Sequence, residues 1–193
     1  MDELIATIER LLRSLDDGPT DRFLSLWPAP PWRRRDAAAR GLPALRWLDA
    51  ACADGAPGTA ALLQELRAQA AALAWAQSYA AADVGEAFLD RYCWTEVIGL
   101  RGPVASERLA VGFLLLGPET EYPAHHHAAE EIYVPLSGLA LWRRSEEDWR
   151  LRTPGTPIHH ASGQSHAMRT RQTPLLALYL WRGGDLAEKS RFG

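Results

Sequence analysis

The sequence predicts a mainly β protein with an α-helical segment before the β part, and two observations support this. Up to about residue 91, helical periodicity and alanine-rich runs predominate. From there to residue 193, short runs rich in Val, Ile, Leu, Trp and Tyr are broken by Gly, Pro and Ser. That second pattern is typical of a β-sandwich or closed β-barrel. We therefore expect two units, residues 1–91 and 92–193, with the helices packed against a barrel.

The first unit carries signals for four helices. Leu and Ile recur at helical spacing near the N-terminus. Pro43 suits the first position of a later helix, and Gly55 suits the residue after its end. Thr59 can cap the next helix, in which Ala, Leu, Gln and Glu are abundant. We expect helices at residues 2–15, 21–26, 43–53 and 59–82.

The second unit carries signals for nine strands, because each apolar run ends at a turn residue. The spacing of the runs is that of a sandwich or closed barrel. We expect strands at residues 94–100, 108–116, 122–127, 131–136, 139–144, 149–152, 158–161, 166–171 and 175–181.

Charge and composition exclude several classes of protein. The formal charge is −3, and residues 1–90 carry nine Arg, no Lys and thirteen acidic residues. This helical segment is therefore not a basic surface for nucleic acid. No apolar run has the length of a membrane span, and the start lacks the features of a signal peptide. Two cysteines make no disulfide framework. We expect a soluble cytoplasmic protein that binds neither nucleic acid nor membranes.

One stretch concentrates side chains that bind metals. His125, His127, Glu131 and Tyr133 lie within nine residues. In a strand, residues two apart share a face, so the two histidines point the same way, and so do Glu131 and Tyr133. Imidazole and carboxylate ligands suit one divalent ion, such as Fe, Zn, Mn or Ni. The best candidate for a further ligand is His166. His159 and His160 are interpreted as structural or surface residues.

This pattern resembles the two sequence motifs of the cupin superfamily. The first motif is H-x-H, then E after three or four residues and G after six more, which residues 125–138 match. The second ends in G-x-x-H, which residues 163–166 match, although its usual proline is Ala161 here. The resemblance implies a cupin (jelly-roll) β-barrel with a metal site.

A narrower resemblance covers nearly the whole chain and is densest at residues 94–182. The run from Gly112 to Tyr133 and the following Leu-Ser-Gly are similar to cupin-type dimethylsulfoniopropionate (DMSP) lyases. These enzymes split DMSP into dimethyl sulfide and acrylate. The resemblance implies a divalent metal surrounded by His127, Glu131, Tyr133 and His166, with His125 close to it. It also implies that Tyr122 is the catalytic base and that Trp181 lines the site.

These residue types fit a β-elimination. The proton next to the DMSP carboxylate is weakly acidic, and a metal bound to that carboxylate stabilises the resulting carbanion. A tyrosinate is a strong base, and a nearby dication favours it. We expect Tyr122 and Tyr133 to be catalytic. The sulfonium suits aromatic faces, for which Trp181, Tyr179 and Trp94 are candidates.

Two alternatives are kept at this stage. The chain could be another metal-dependent cupin enzyme, a dioxygenase or an isomerase, acting on a small carboxylate. Alternatively, it could be a non-enzymatic cupin fused to a DNA-binding helical segment, which the negative charge of residues 1–90 disfavours. The expected partner is a small sulfonium carboxylate, and a homodimer is left open.

Overall fold

The computed structural model describes all of residues 1–193. Its helices are α1 (Asp2–Ser14), α2 (Gly18–Leu24), α3 (Leu48–Ala53), α4 (Ala60–Gln69), α5 (Ala81–Val84) and α6 (Glu86–Leu89), with short 3-10 helices at Pro43–Trp47 and Ala70–Ala72. None of these helices is long and apolar enough to cross a membrane.

Twelve strands follow or interrupt the helices. They are β1 (Trp75–Ala76), β2 (Tyr92–Gly99), β3 (Val104–Ala105), β4 (Leu109–Leu116), β5 (Glu121–His126), β6 (Glu130–Ser137), β7 (Ala140–Arg144), β8 (Arg150–Arg152), β9 (Ile158–His160), β10 (His166–Thr170), β11 (Leu175–Arg182) and β12 (Arg191–Phe192). All nine predicted strands are present, at β2 and β4–β11. The sequence analysis missed β1, β3 and β12, which have only two residues each.

The strands form two sheets with facing inner surfaces. The large sheet has the order β1-β2-β4-β11-β6-β9, with β3 beside β2, and the small sheet has the order β12-β5-β10-β7-β8. Their inner side chains share one core, in which the ring centroids of Tyr133 and Trp142 lie 5.1 Å apart. The predicted cupin jelly roll is confirmed. The hydrogen-bonded ladder is split into these two sheets, however, so the expected fully closed barrel is not formed.

The side chains of β4 alternate between two hydrophobic cores, one on each face of the large sheet. Leu109, Val111, Phe113 and Leu115 belong to the core that includes the apolar faces of α1–α4. The residues between them face the small sheet, where Ala110, Leu114 and Leu116 join the inner core. The helical segment therefore covers the outer face of the large sheet.

The predicted helix at residues 59–82 is wrong in its second half. After the 3-10 turn, Trp75 and Ala76 extend the large sheet by pairing with β2. The Trp75 indole is 1% exposed and its Nε1 donates to Ala70 O at 2.9 Å. The Thr95 hydroxyl of β2 donates to Ala74 O at 3.1 Å. These tertiary contacts outweigh the helix propensity of an alanine-rich run.

Two predicted caps also differ. The C-cap residue of α3 is Asp54, one residue before Gly55. Thr59 precedes α4 but makes no side-chain cap. Its buried hydroxyl instead donates to Leu136 O of β6 at 2.6 Å. Thr59 therefore connects the helical segment to the large sheet.

Replacing Phe23 by Ala tests the packing of helices on the sheet. Phe23 of α2 is fully buried, and the Arg182 guanidinium of β11 lies 5.1 Å from its ring centroid. We expect Phe23→Ala to lower the free energy of unfolding by about 3–5 kcal/mol, measured by urea denaturation. Leu139→Ala, at a side chain 50% exposed, should change it by less than about 0.5 kcal/mol. A Phe23→Ala loss as small as that of the control would contradict this packing.

Candidate active site

Pairing in the large sheet aligns one half of the site. Glu131 of β6 lies opposite Trp181 of β11, and Tyr133 lies opposite Tyr179 two residues further along. Residues two apart on a strand share a face. All four side chains therefore belong to one surface, which faces the small sheet.

The small sheet supplies the other half. His166 of β10 lies opposite His125 of β5, and Met168 lies opposite Tyr122. An irregularity in the ladder separates these two pairs. His127 follows directly after β5, so His125 lies within the strand and His127 lies just beyond its end.

Three of the predicted ligands converge. The ligand atoms of His127, Glu131 and His166 all lie within 4.8 Å of one another, and all three residues are buried. Glu131 Oε2 is 3.1 Å from His127 Nε2 and 3.0 Å from His166 Nε2. His125 is buried nearby, with its ring centroid 4.2 Å from that of His166, but it lies outside the cluster of three.

Backbone carbonyls orient the histidine rings. His127 Nδ1 lies 2.9 Å from Ala129 O, and His166 Nδ1 lies 2.9 Å from Gln164 O. A carbonyl can only accept, so each Nδ1 carries a proton, which leaves Nε2 as the nitrogen that could bind a metal. His125 Nδ1 faces a carbonyl in the same way. This arrangement is common where histidine holds a metal.

The charges at the cluster also suit a cation. Burial alone would raise the pKa of Glu131, but His127 and His166 outweigh it and hold that pKa well below its ordinary value. Burial, together with His166, holds the pKa of His125 well below its ordinary value. The carboxylate is therefore anionic and His125 is neutral. Burial alone would lower the pKa of His127, but Glu131 outweighs it and raises that pKa, so a proton on Nε2 is favoured while no cation is bound. A divalent ion would replace that proton, and two imidazoles with one carboxylate form a donor set that fits it.

Trp181 fixes the other oxygen of the central carboxylate. Its indole Nε1 donates to Glu131 Oε1 at 2.6 Å, and its ring centroid lies 4.1 Å from that of His127. Oε2 is thereby left to the two histidines.

The two predicted tyrosines are both buried. The Tyr122 ring stacks on His125 with centroids 3.9 Å apart, and its hydroxyl oxygen is 2.7 Å from that of Tyr79. Burial, reinforced by neighbouring tyrosines, raises the pKa of Tyr122 well above its usual range. Burial, reinforced by Glu131, does the same to the pKa of Tyr133. Both hydroxyls are therefore protonated when no further positive charge is near.

A cavity of about 370 Å³ joins these groups. It is lined by the acid of the cluster and by all five predicted catalytic and substrate-binding residues: Trp94, Tyr122, Glu131, Tyr133, Tyr179 and Trp181. The cavity thus connects the convergent ligands to two tyrosine hydroxyls and three aromatic side chains.

The sequence analysis missed several residues of the cavity wall. Glu96 and Arg101 come from β2 and the turn after it, and residues 186–192 form a C-terminal strap whose first five residues line the cavity. Lys189 of this strap pairs with Asp83 at 2.8 Å. No spacing in the sequence indicated these contacts, because they join segments far apart in the chain. Tyr79 was missed because it fell inside the helix predicted at residues 59–82.

The two adjacent histidines outside the motifs differ from each other. His159 is half-buried and its Nε2 is 2.7 Å from Glu130 Oε1. His160 is buried opposite Glu131, stacks on His166 at 4.1 Å, and has no hydrogen-bond partner at either nitrogen. The interpretation of both as structural or surface residues stays a prediction, and burial excludes a surface position for His160.

The sequence matches one described family over most of its length. A family model of dimethylsulfoniopropionate lyases matches residues 20–177. The dimethylsulfoniopropionate lyase DddQ of Ruegeria pomeroyi is 38% identical over 124 residues, which are 64% of this chain and 62% of that protein. The chain thus spans less than two thirds of the length of this curated relative.

Two solved structures resemble the whole chain. The crystal structure of the DMSP lyase DddQ from Ruegeria pomeroyi has a TM-score of 0.87 at 29% identity, covering 99% of this chain and 94% of that one. A chain from the crystal structures of the DMSP lyases RdDddP and RnDddQII has a TM-score of 0.83 at 30% identity, covering 100% and 98%. With the family match and the shared fold, this chain belongs to the dimethylsulfoniopropionate lyase family.

Proposed function

We propose that this protein is a metal-dependent lyase that cleaves DMSP to dimethyl sulfide and acrylate by β-elimination. The observation that carries the proposal is the single cavity shared by Glu131 of the convergent ligands, Tyr122, Tyr133 and three further aromatic side chains. The reaction requires those components together: a site for the carboxylate, a base, and apolar walls for a sulfonium leaving group. The name and the structures of the relatives agree with this reaction.

His127, Glu131 and His166 would hold one divalent ion. Two imidazoles and a carboxylate accept Fe, Zn, Mn or Ni, so the ligand types leave the metal open. When bound, the ion supplies positive charge that favours a tyrosinate and stabilises the carbanion beside the substrate carboxylate. The predicted participation of His125 or Tyr133 as a further ligand stays a prediction.

Tyr122 is the proposed base for the α-proton. Stacking on His125 fixes its ring, and the Tyr79 hydroxyl can donate to its oxygen across 2.7 Å. That contact positions the hydroxyl, but burial and the neighbouring tyrosines, Tyr79 included, raise the pKa of Tyr122, so the charge of a bound ion would be needed to favour the phenolate. Tyr133, next to the acid of the cluster, is proposed to help hold the substrate carboxylate.

The three aromatic residues are proposed to surround the sulfonium. A sulfonium has no N–H donor, so the negative face of an aromatic ring is a suitable partner. Trp94, Tyr179 and Trp181 all line the cavity. The C-terminal strap covers this space with Leu186 and the residues after it, which limits the access of water to the carbanion.

Product analysis tests the reaction directly. We expect metal-loaded protein to release dimethyl sulfide and acrylate from DMSP in equal amounts, measured by headspace chromatography and by NMR. Removal of the metal with a chelator should abolish release, and adding the metal back should restore it. Loaded protein that makes no dimethyl sulfide, or consumes oxygen in proportion to substrate, would instead indicate another cupin reaction.

Replacing Glu131 or His166 tests the ligand assignment. Glu131→Ala and His166→Ala should each lose the metal and the activity, because each removes one of three convergent donors. Metal content is measured on the purified variants by mass spectrometry. His159→Ala removes a half-buried histidine outside the cluster and should keep full metal content. Full occupancy in either ligand variant would exclude that residue as a ligand.

Replacing Tyr122 by Phe tests the base. Because general-base steps contribute about 10²–10⁴-fold, kcat should fall by that factor while metal content stays unchanged. Tyr79→Phe should lower kcat by only about tenfold, since it removes one hydrogen bond to the base. Near-normal turnover of Tyr122→Phe on DMSP would show that another residue is the base, with Tyr133 the first candidate.

A further inference from the structure

We propose that Glu96 determines specificity: its carboxylate selects ligands with a cationic head group over neutral ligands of the same shape. This inference rests on the proposed function, in which the substrate carboxylate lies at the metal site and the cationic head group points away from it. It assigns a role to a buried charge of the cavity wall that the elimination itself does not use.

Glu96 faces the cavity from the middle of the large sheet. It lies opposite Gly112 of β4, which in turn lies opposite Tyr179 of β11. Tyr133 is the next residue across, so one row of the sheet runs from Glu96 to a residue beside the proposed metal site. A Cβ at Gly112 would lie 2.7 Å from the Tyr179 hydroxyl. Glycine therefore leaves room for the Tyr179 ring between the two ends of the row.

The carboxylate of Glu96 is fixed but only partly paired. Its side chain is 3% exposed. Oε1 accepts the backbone N–H groups of Arg101 and Gly102, the latter at 2.9 Å. No hydrogen-bond donor reaches Oε2, and its ion-pair partner, Arg101 Nη1, is 3.9 Å away. Oε2 is therefore available to a cation in the cavity.

Arg101 is engaged elsewhere. Its guanidinium donates to Ala187 O at 3.0 Å and to Leu186 O at 3.4 Å, and it lies 5.7 Å from the ring centroid of Trp94. These contacts attach the C-terminal strap to the turn after β2. Arg101 thus serves the strap and offsets the charge of Glu96 only in part.

A buried anion with one incompletely paired oxygen is costly to maintain. The pKa of Glu96 is raised, because burial outweighs the two amides and Arg101, which favour the anion. A cation bound beside Oε2 would restore the missing interaction. Glu96 and Trp94 share a face of β2 and both line the cavity, so the same region offers an aromatic face and a formal negative charge.

The aromatic face and the negative charge contribute differently to selectivity. An aromatic wall also attracts neutral apolar groups of similar size, and its preference for a cation is modest. A formal charge distinguishes a cationic from a neutral head group more strongly. We therefore infer that the aromatic residues select the shape of the head group and that Glu96 selects its charge.

The test compares two ligands of matched shape. N,N-dimethyl-β-alanine carries a dimethylammonium group where DMSP has its dimethylsulfonium, and 4-methylpentanoate carries an uncharged isopropyl group there. Their dissociation constants are measured by calorimetry on metal-loaded protein, without turnover. We expect the wild-type protein to bind the cationic ligand at least about tenfold more tightly than the neutral one.

Glu96→Gln removes the charge and keeps an oxygen for the two amides. We expect the variant to reduce the ratio of the two dissociation constants by about tenfold, while the dissociation constant of 4-methylpentanoate stays within about twofold of the wild-type value. Glu146→Gln removes one negative charge at an exposed residue outside the cavity. It should keep the wild-type preference. Melting temperature and metal content of each variant are measured alongside.

Several outcomes would overturn the proposal. These are equal weakening of both ligands in Glu96→Gln, the same loss of preference in Glu146→Gln, and no preference in the wild-type protein. If Glu96→Gln fails to fold, Glu96→Asp keeps the charge and withdraws it by one methylene group. The preference should then fall with unchanged binding of 4-methylpentanoate, and an unchanged preference would overturn the proposal. Preference for the cationic ligand without any release of dimethyl sulfide would support the role of Glu96 and contradict the lyase reaction.

Discussion

The site depends on one buried carboxylate, both of whose oxygens have polar partners. Glu131 is fully buried; its Oε2 faces the Nε2 atoms of His127 and His166, and its Oε1 accepts the indole N–H of Trp181. An unpaired buried anion would be strongly destabilising. This single group therefore requires both sheets to be in register. The large sheet supplies the acid and Trp181, and the small sheet and the loop after β5 supply the histidines.

Strand alternation places the side chains that line the cavity on one face of the large sheet. On β2, β6 and β11, every second residue faces inward, which places acids, tyrosines and tryptophans on one surface. The residues between them pack against the helices. Two acids on this surface, Glu96 and Glu131, face the same space. A zwitterionic substrate with opposite charges at its ends suits a cavity with a proposed metal site near one acid and an anion at the other.

The sequence predicted those parts whose geometry is local. The proximity of His127 and Glu131 could be predicted because spacing within one hairpin follows from strand geometry. The second half of the helix predicted at residues 59–82 is wrong, because the burial of Trp75 and its pairing with β2 outweigh helix propensity. Glu96 carries no motif, and its role depends on Gly112 and on a distant strap. Tyr79 and the strap were missed because only the folded chain brings Tyr79 to Tyr122 and Phe192 of the strap to Tyr79.

A crystal of the metal-loaded protein with N,N-dimethyl-β-alanine bound would test the central arrangement most directly, because anomalous scattering locates the metal independently of activity. We predict one anomalous peak about 2.0–2.2 Å from His127 Nε2, His166 Nε2 and a Glu131 carboxylate oxygen. We also predict the ligand carboxylate beside the metal and its ammonium group beside Glu96. A peak away from these three residues, or a ligand bound in the opposite direction, would contradict the arrangement.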